Sequence, residues 1–159
     1  GAHYDGKKHQ IDTYYSPYKQ PLAKKKGRVL RIRRNLTKGQ TRLEVHIPQN
    51  SFAAIEHEVT VSDYRTLVKI MKGLRMKKEF VVEKRREQYI VGRYEIELDM
   101  VRGLGKFIEV ELEAANTAAN KRRVIAFMLK LGVPKRDFII GTHYNGMILK
   151  TMGRKYAYF

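Results

Sequence analysis

The stretch YEIELDMVRGLGKFIEVELE, from Tyr94 to Glu113, decides how the rest of this chain is interpreted. Its first half alternates acidic and aliphatic residues, and its second half does so again after two glycines. Alternation with a period of two is typical of a β-strand, and it places the carboxylates on one face. The glycines mark a tight connection, so the stretch predicts an antiparallel hairpin with an acidic face. Because carboxylates this close repel one another, we expect metal or side-chain cations to meet them.

The remaining chain is rich in side chains that could supply those cations. The 159 residues include 33 Lys and Arg against 16 Asp and Glu, which gives a formal net charge of +17. Such an excess predicts anionic partners: nucleotides, polyphosphate, nucleic acid or a membrane surface. The chain has no Cys, which excludes disulfides and thiolate metal sites. No apolar run reaches membrane-spanning length, so we expect a cytoplasmic protein with no membrane partner, built as one domain over residues 1–159.

Five runs outside the hairpin also predict strands. Val29–Arg34, Arg42–Ile47 and 55–61 alternate charged with aliphatic residues, while His9–Tyr15 is rich in β-branched and aromatic residues. The fifth run, Phe80–Tyr89, carries charge on both faces, which predicts an edge or exposed strand.

Two longer segments have the apolar spacing of helices. Ser62 is the predicted N-cap of a helix from Asp63 to Met76, and Asn116 or Thr117 caps a second helix that ends at Leu131. Their predicted buried stripes are Leu67, Ile70, Met71 and Leu74 in the first helix and Val124, Met128 and Leu131 in the second. Short helices are predicted in 134–140 and 143–150, and a loop in 16–27, which contains two prolines.

A sheet with clustered charges on one face cannot bury that face in an apolar core, because unpaired buried charge is very unfavourable. We therefore predict an α+β fold: an antiparallel β-barrel, or tunnel, of about seven strands, with a polar charged lumen and helices packed outside. In that lumen, carboxylates would bind hard divalent ions and basic side chains would hold phosphate oxygens. The residues alone thus predict a metal-dependent site for a densely anionic ligand.

Five segments, in this order, resemble the CYTH or triphosphate tunnel metalloenzyme superfamily, and most closely its class IV adenylyl cyclase branch. HQIDTYY is similar to the family pattern Q-x-D-x-Y, VLRIRR to L-R-I-R, and VVEKRREQY to K-x-R-x-x-Y. LDMVRGLGKFIEVELE is similar to L-D-x-V-x-G-L-G-x-F-x-E-I-E. LGVPKRDFIIGTHYNGMIL resembles the closing segment, in which a Gly-containing turn leads to S-Y-x-x-L. The resemblance extends from His9 to Leu149.

This resemblance implies an eight-stranded tunnel that binds a triphosphate together with Mg²⁺ or Mn²⁺. The triphosphate-binding residues that it implies are Arg31, Arg33, Lys38, Lys84 and Arg86. The metal ligands that it implies are Glu58, Glu97, Glu109 and Glu111. The catalytic residues that it implies are Lys84, Arg86 and Asp99.

The activity implied by the resemblance is that of a class IV adenylyl cyclase, which converts ATP to cyclic AMP and pyrophosphate. One alternative is an inorganic, thiamine or RNA 5′-triphosphatase. Another is a non-catalytic module that binds polyphosphate or RNA through its basic surface, including the run Lys24–Lys26.

Two features depart from the family pattern. An E-x-E-x-K strand should precede His9 by several tens of residues, whereas only eight residues stand before it here, so the first family strand is expected to be missing. Ala53 and Ala54 stand where the family usually has Arg. A barrel without its first strand exposes an edge, which predicts pairing into a homodimer.

Overall fold

A computed structural model describes residues 1–17, 29–50, 53–139 and 144–152, which form seven strands, three α-helices and one short 3₁₀ turn at Lys135–Asp137. The strands are β1 (His3–Pro17), β2 (Val29–Asn35), β3 (Gln40–Asn50), β4 (Ala53–Val61), β5 (Met76–Val91), β6 (Tyr94–Val101) and β7 (Gly105–Leu112). The helices are α1 (Tyr64–Gly73), α2 (Ala118–Lys130) and α3 (Tyr144–Thr151). Most of the predicted 16–27 loop, the Lys24–Lys26 run and most of the C-terminal tail lie outside the described residues.

All seven strands belong to one antiparallel sheet in the order β4-β3-β2-β1-β5-β6-β7. The two longest strands, β1 and β5, lie side by side near its middle. The prediction that Phe80–Tyr89 forms an edge strand is therefore wrong, because β5 pairs with β1 on one side and β6 on the other. The strand tolerates charge on both faces because those charges are paired: Arg86 with Asp99 on one face, and Glu83 with Arg102 on the other.

The charged face of the sheet is the buried one. Glu44 and Asp99 are each only 2% exposed, whereas Val59 and Met100, on the aliphatic face, are more than half exposed. Gln40 and Arg42 of β3 line the same cavity on this face as Glu97 of β6, although these two strands are four places apart in the sheet order. The sheet therefore curves around its charged side, which we call the concave face.

The α+β antiparallel prediction is confirmed, and so is the inward direction of the polar face. Closure is not confirmed: within the described residues β4 and β7 end the sheet and are not paired with each other. The described residues form a curved, open sheet.

Helix α1 packs on the convex, aliphatic face through Leu67 and Met71, which contact Ile32 of β2. Its N-cap is Asp63, whose side chain accepts from the Thr66 backbone N–H at 3.0 Å, so the prediction of Ser62 as the cap is wrong. The helix ends at Gly73 rather than Met76.

The predicted apolar stripe of α1 is wrong at its other two positions. Ile70 is 52% exposed and Leu74 is 68% exposed. Only Leu67 and Met71, on the narrow arc that faces the sheet, are buried. Ile70 lies beside that arc, and Leu74 follows the last helical residue, so both side chains remain exposed to solvent.

Helix α2 begins after Thr117, whose hydroxyl accepts from the Asn120 N–H, as predicted. It contacts the sheet through Phe127, which stacks on Tyr94 with ring centroids 4.1 Å apart. Val124 and Met128 are half-buried, but Leu131 is exposed, so the predicted stripe is correct only in part.

Helix α3 lies on the concave side, against the prediction that the helices pack outside. Tyr144 belongs to an apolar cluster with Tyr14, Phe80, Val82 and Val101, all of which point from the strands to that side. At this end of the concave face the strand residues are apolar rather than charged, so they require an apolar cover. None of the helices in the described residues is long and apolar enough to cross a lipid bilayer.

Candidate functional site

The alternation in VLRIRR places Arg31 and Arg33 of β2 on the concave face, where each finds an acidic partner. Arg33 donates to both carboxylate oxygens of Asp12, with Nε–Oδ1 and Nη2–Oδ2 distances of 2.8 and 2.7 Å. Arg31 donates through Nε to Glu44 and approaches His46 Nε2 at 3.1 Å. Bidentate pairs of this kind fix the plane of the guanidinium group.

Asp12 is nearly fully buried, yet it is held in its ionised form. Burial alone would raise the pKa of Asp12, but the charge and hydrogen bonds of Arg33, together with the charge of Arg31, lower it to about 2. The carboxylate therefore compensates two guanidinium groups at any physiological pH.

Arg86 of β5 is the centre of a second ionic network. It makes a bidentate contact with Asp99 at 2.6 and 2.5 Å and donates to Glu109 Oε2 at 2.7 Å. Its third nitrogen forms an ion pair with Glu97. One guanidinium group thus joins acidic side chains from both strands of the hairpin, as the mixture of charges on this face predicted.

Lys84 lies two residues before Arg86 and is only 4% exposed. Its Nζ is 3.4 Å from Asp99 Oδ2 and lies over the ring of Tyr144, 5.2 Å from the centroid. Burial, reinforced by the charges of Arg86 and Arg33, lowers the pKa of the Lys84 ammonium group. The pKa of Asp99 is also lowered, which for a carboxyl group favours the charged form. Burial opposes the ionisation of Asp99, but the hydrogen bonds from Arg86 and the charge of Lys84 outweigh it.

Two glutamates of the hairpin, Glu97 and Glu111, have raised pKa values where Asp99 has a lowered one, because they are buried where carboxylates outnumber cations. Glu97 faces Glu109 directly across β6 and β7, and Glu95 faces Glu111. Burial raises the pKa of Glu97 to about 8, and the Glu109 carboxylate adds to that shift. Desolvation on the concave face, followed by the charges of Glu109 and Glu95, also raises the pKa of Glu111.

These oxygen donors suit a hard divalent cation such as Mg²⁺ or Mn²⁺. Glu97 Oε2 is buried without a hydrogen-bond partner, and its neighbour Glu109 is held by a single arginine nitrogen. Glu58 lies apart on β4, where Arg42 Nη1 donates to both of its oxygens at 2.9 Å. As the side chains stand, the described residues contain no group of three or more His, Asp or Glu arranged to hold a metal.

A polar cavity of about 160 Å³ opens beside these networks. Its described lining contains neither an aromatic nor an aliphatic side chain and consists of Lys8, Gln10, Arg33, Asn35, Lys38, Gln40, Arg42, Arg86 and Glu97. Lys38 stands in the turn between β2 and β3 and is exposed at the rim. The cavity can therefore hold a small, strongly anionic group.

Buried polar atoms without a partner mark places where a ligand or water completes the hydrogen bonding. In the described part of the chain these atoms are Gln10 Oε1, Glu44 Oε1, Glu97 Oε2 and the Tyr144 hydroxyl. Three of the four belong to strand residues of the concave face, and Tyr144 approaches that face from α3.

The structure brings together most of the residues predicted for the site. Arg31, Arg33, Lys84, Arg86, Glu97, Asp99 and Glu109 share the concave face. Lys38 is at the rim, while Glu58 and Glu111 lie on the two end strands.

Sequence reasoning named no role for Asp12, Glu44 or Tyr144. Asp12 and Glu44 occupy the same alternating positions as the lumen cations of their strands, so the alternation could have identified them. The role of Tyr144 depends on how α3 folds back over the sheet, and no local pattern reports that.

The chain was compared with protein families and with known proteins. The family model of the CYTH domain matches residues 1–140. No curated protein matches the chain.

Among the solved structures that are similar to this chain, three illustrate the shared fold. The PH1819 protein from Pyrococcus horikoshii OT3 is 28% identical with a TM-score of 0.79, over 94% of this chain and 88% of that chain. A candidate adenylate cyclase from Vibrio parahaemolyticus is 18% identical with a TM-score of 0.77, over 93% and 84%. A candidate adenylyl cyclase from Hippeastrum, described as having a dominant triphosphatase activity, is 17% identical with a TM-score of 0.65, over 95% and 85%.

Proposed function

The chain belongs to the CYTH domain family, and we propose that it is an enzyme that binds a triphosphate on its concave face and processes it with a divalent cation. The observation that carries this proposal is the cavity, in which Lys8, Arg33, Lys38, Arg42 and Arg86 surround a space without apolar lining among the described residues. A triphosphate is the kind of compact, highly charged anion that such a set of donors favours.

Arginines that are already fixed by carboxylates are ready to bind without reorganisation. Asp12 orients Arg33, and Asp99 orients Arg86, and both arginines line the cavity. Donors held in this way stabilise charge that develops on phosphate oxygens during transfer. In this proposal Arg31, Arg33 and Lys38 hold the triphosphate, Lys84 and Arg86 stabilise the reacting phosphoryl group, and Asp99 keeps both of them in place.

Carboxylates exceed cations on the concave face, so a triphosphate alone would meet repulsion there. The acidic positions are Asp12, Glu44, Glu56, Glu58, Glu95, Glu97, Asp99, Glu109 and Glu111. We propose that Glu97, Glu109 and Glu111 hold Mg²⁺ or Mn²⁺, and that Glu58 of β4 is a further ligand once Arg42 releases it. When bound, the metal would neutralise phosphate oxygens and act as a Lewis acid.

Two reactions fit a triphosphate in this position. In a cyclase the ribose 3′-oxygen attacks the α-phosphorus of ATP, and pyrophosphate leaves with the electron pair of the broken bond. In a triphosphatase water attacks the terminal phosphorus, and a diphosphate leaves. Structural relatives are described with both activities, and one fold supports more than one reaction.

A triphosphatase is the second candidate function beside the cyclase, and the residues that line the cavity favour it. A purine is held mainly by stacking and apolar contacts, and the described lining contains no aromatic or aliphatic residue. Inorganic tripolyphosphate, or the triphosphate of thiamine or of an RNA 5′ end, needs only the charged part of the site.

The test is to incubate the protein with Mn²⁺ and either ATP or tripolyphosphate and to separate the products by chromatography. Cyclic AMP with pyrophosphate identifies a cyclase, and orthophosphate identifies a triphosphatase. Glu111→Ala is expected to abolish turnover, while Glu113→Ala, two residues later and beyond β7, is the matched control. If the protein binds triphosphate tightly in EDTA but turns over neither substrate, the proposed enzymatic function is wrong, and the protein is a non-catalytic triphosphate-binding module.

A further inference from the structure

A group of exposed cations lies on α1 and at the start of β5. Residues 64–78 contain no acidic residue. The exposed cations of this segment, none of which forms an ion pair within the described part of the chain, are Arg65, Lys69, Lys72, Arg75, Lys77 and Lys78.

This basic segment results from how the fold distributes charge. The chain carries only 16 acidic residues, and the curved sheet directs most of those on β3, β4, β6 and β7 to the concave face. The side that carries α1 is consequently left with an excess of cations, and the acidic residue beside them is the N-cap Asp63, whose pKa is lowered first by its hydrogen bonds to Thr66 and also by the charge of Lys69. A surface of one sign attracts polyanions over several ångströms, because its field is not cancelled locally.

The cations on α1 form a row. At about 100° per residue, Arg65, Lys69 and Lys72 lie within a narrow arc on the side opposite Leu67 and Met71, which contact the sheet. At about 1.5 Å rise per residue the row is about 10 Å long. One strand of a nucleic acid carries a charge about every 3.4 Å of helix axis, so the row spans roughly three phosphates.

We infer that the row Arg65, Lys69 and Lys72 binds the phosphodiester backbone of a nucleic acid. No aromatic side chain is available there for stacking, since Tyr64 is half-buried and lies beneath Arg34, whose Cζ is 4.5 Å from the ring centroid. Binding is therefore independent of base sequence and is governed by charge. This inference does not depend on the proposed triphosphate chemistry.

An anionic membrane is the less suitable partner. Membrane-surface helices place cations beside apolar residues that enter the lipid. The exposed apolar residues of α1 and its C-cap, Ile70 and Leu74, lie about 100° or more around the helix from the cation row. A flat bilayer that contacted the row would leave Ile70 outside its apolar layer.

The experiment measures fluorescence anisotropy of a labelled 30-nucleotide RNA with a 5′-hydroxyl, which lacks the triphosphate that the concave face would bind. Affinity is measured from 50 to 300 mM NaCl. Replacing Arg65, Lys69 and Lys72 together with Gln is expected to weaken binding by at least about tenfold and to reduce the log–log salt slope by about 2, since each lost contact removes about 0.7.

The matched control replaces Arg122, Arg123 and Lys130 of α2 with Gln, which changes the net charge by the same amount. Circular dichroism confirms that both triple variants are folded. Equal loss in the two variants, or no RNA binding by the wild type, would overturn the inference. Binding to phosphatidylserine vesicles in place of RNA, lost in the α1 variant alone, would assign the row to a membrane and overturn it as well.

Discussion

Asp12 is the residue that joins the two arginines of β2. It lies on β1, opposite Arg33 in the sheet register, and also approaches Arg31 at 3.7 Å. A buried carboxylate is unfavourable by itself, but breaking such a pair by removing one partner is usually worse than replacing both. Asp12 therefore contributes both to stability and to the orientation of the cations that the ligand meets.

The pH dependence of stability tests this role. The pKa of Asp12 is about 2 in the folded chain against an ordinary value of 3.8, so the unfolded chain binds more protons between these values. The contribution of Asp12, about 2 kcal/mol, is therefore complete above about pH 5 and is lost as the pH falls towards 2. Urea unfolding at pH 7, 4, 3 and 2 measures it.

Asp12→Asn should lower the free energy of unfolding at pH 7 by about 3 kcal/mol, because Arg33 loses its bidentate partner. Its stability should also fall less steeply than that of the wild type below pH 4. Asp5→Asn, on an exposed position of the same strand, is the control and should change neither quantity. An unchanged acid slope in the Asp12 variant would mean that the carboxylate is not held ionised by the arginines.

At the scale of the residue, period-two alternation placed Arg31 and Arg33 on one face of their strand, and Lys84 and Arg86 on one face of theirs. The family resemblance, and not the alternation, implied that the two pairs meet, and the structure has all four on the concave face. Alternation says nothing about depth, so it could not show that Asp12 is more buried than Glu111. Depth depends on sheet curvature, which arises from the whole molecule.

Helix α1 shows what local sequence can and cannot specify about an element. Ser62 and Asp63 are both good N-cap residues, and the choice between them depends on backbone angles at the end of β4. Asp63 has the extended conformation of an N-cap, and its side chain also accepts from the Thr66 hydroxyl at 2.6 Å. The start of the helix was thus predicted to within one residue.

The cap assignment predicts different effects for two neighbouring substitutions. Asp63→Ala should lower the free energy of unfolding by about 1 kcal/mol, because it removes the acceptor for the Thr66 N–H. Ser62→Ala should change it by less than about 0.5 kcal/mol. Urea denaturation of the two variants and the wild type measures both values, and a larger loss for Ser62→Ala would assign the cap to Ser62.

Strand β5 shows why the edge prediction was wrong. A strand with charged residues on both faces is typically an edge strand, but it can lie inside a sheet when the neighbouring strands supply counter-ions. Here β6 supplies Asp99 to the concave face, and β1 supplies Lys7 to pair with Glu87 on the other face at 2.9 Å. Cross-strand compensation depends on register, which one strand's sequence does not contain.

At the scale of the whole molecule, the fold separates charge. Acidic side chains of the hairpin and of β3 and β4 line the concave face, while α1 and the start of β5 present cations to the outside. Helix α3 closes one end of the concave face with apolar contacts around Tyr144. The antiparallel class followed from strand patterns, whereas the position of α3 is a long-range property that those patterns did not predict.

The most direct test of the account is the affinity for tripolyphosphate of two variants at adjacent positions. Arg33 points to the concave cavity, whereas Arg34 points to the convex side over Tyr64. Calorimetric titration with Mn²⁺ present should show that Arg33→Gln weakens binding at least about tenfold, as expected for the loss of a charge-assisted hydrogen bond and of the cation itself. Arg34→Gln should bind as the wild type does. Equal affinity in all three proteins, with the variants shown to be folded, would contradict the assignment of the concave face as the triphosphate site.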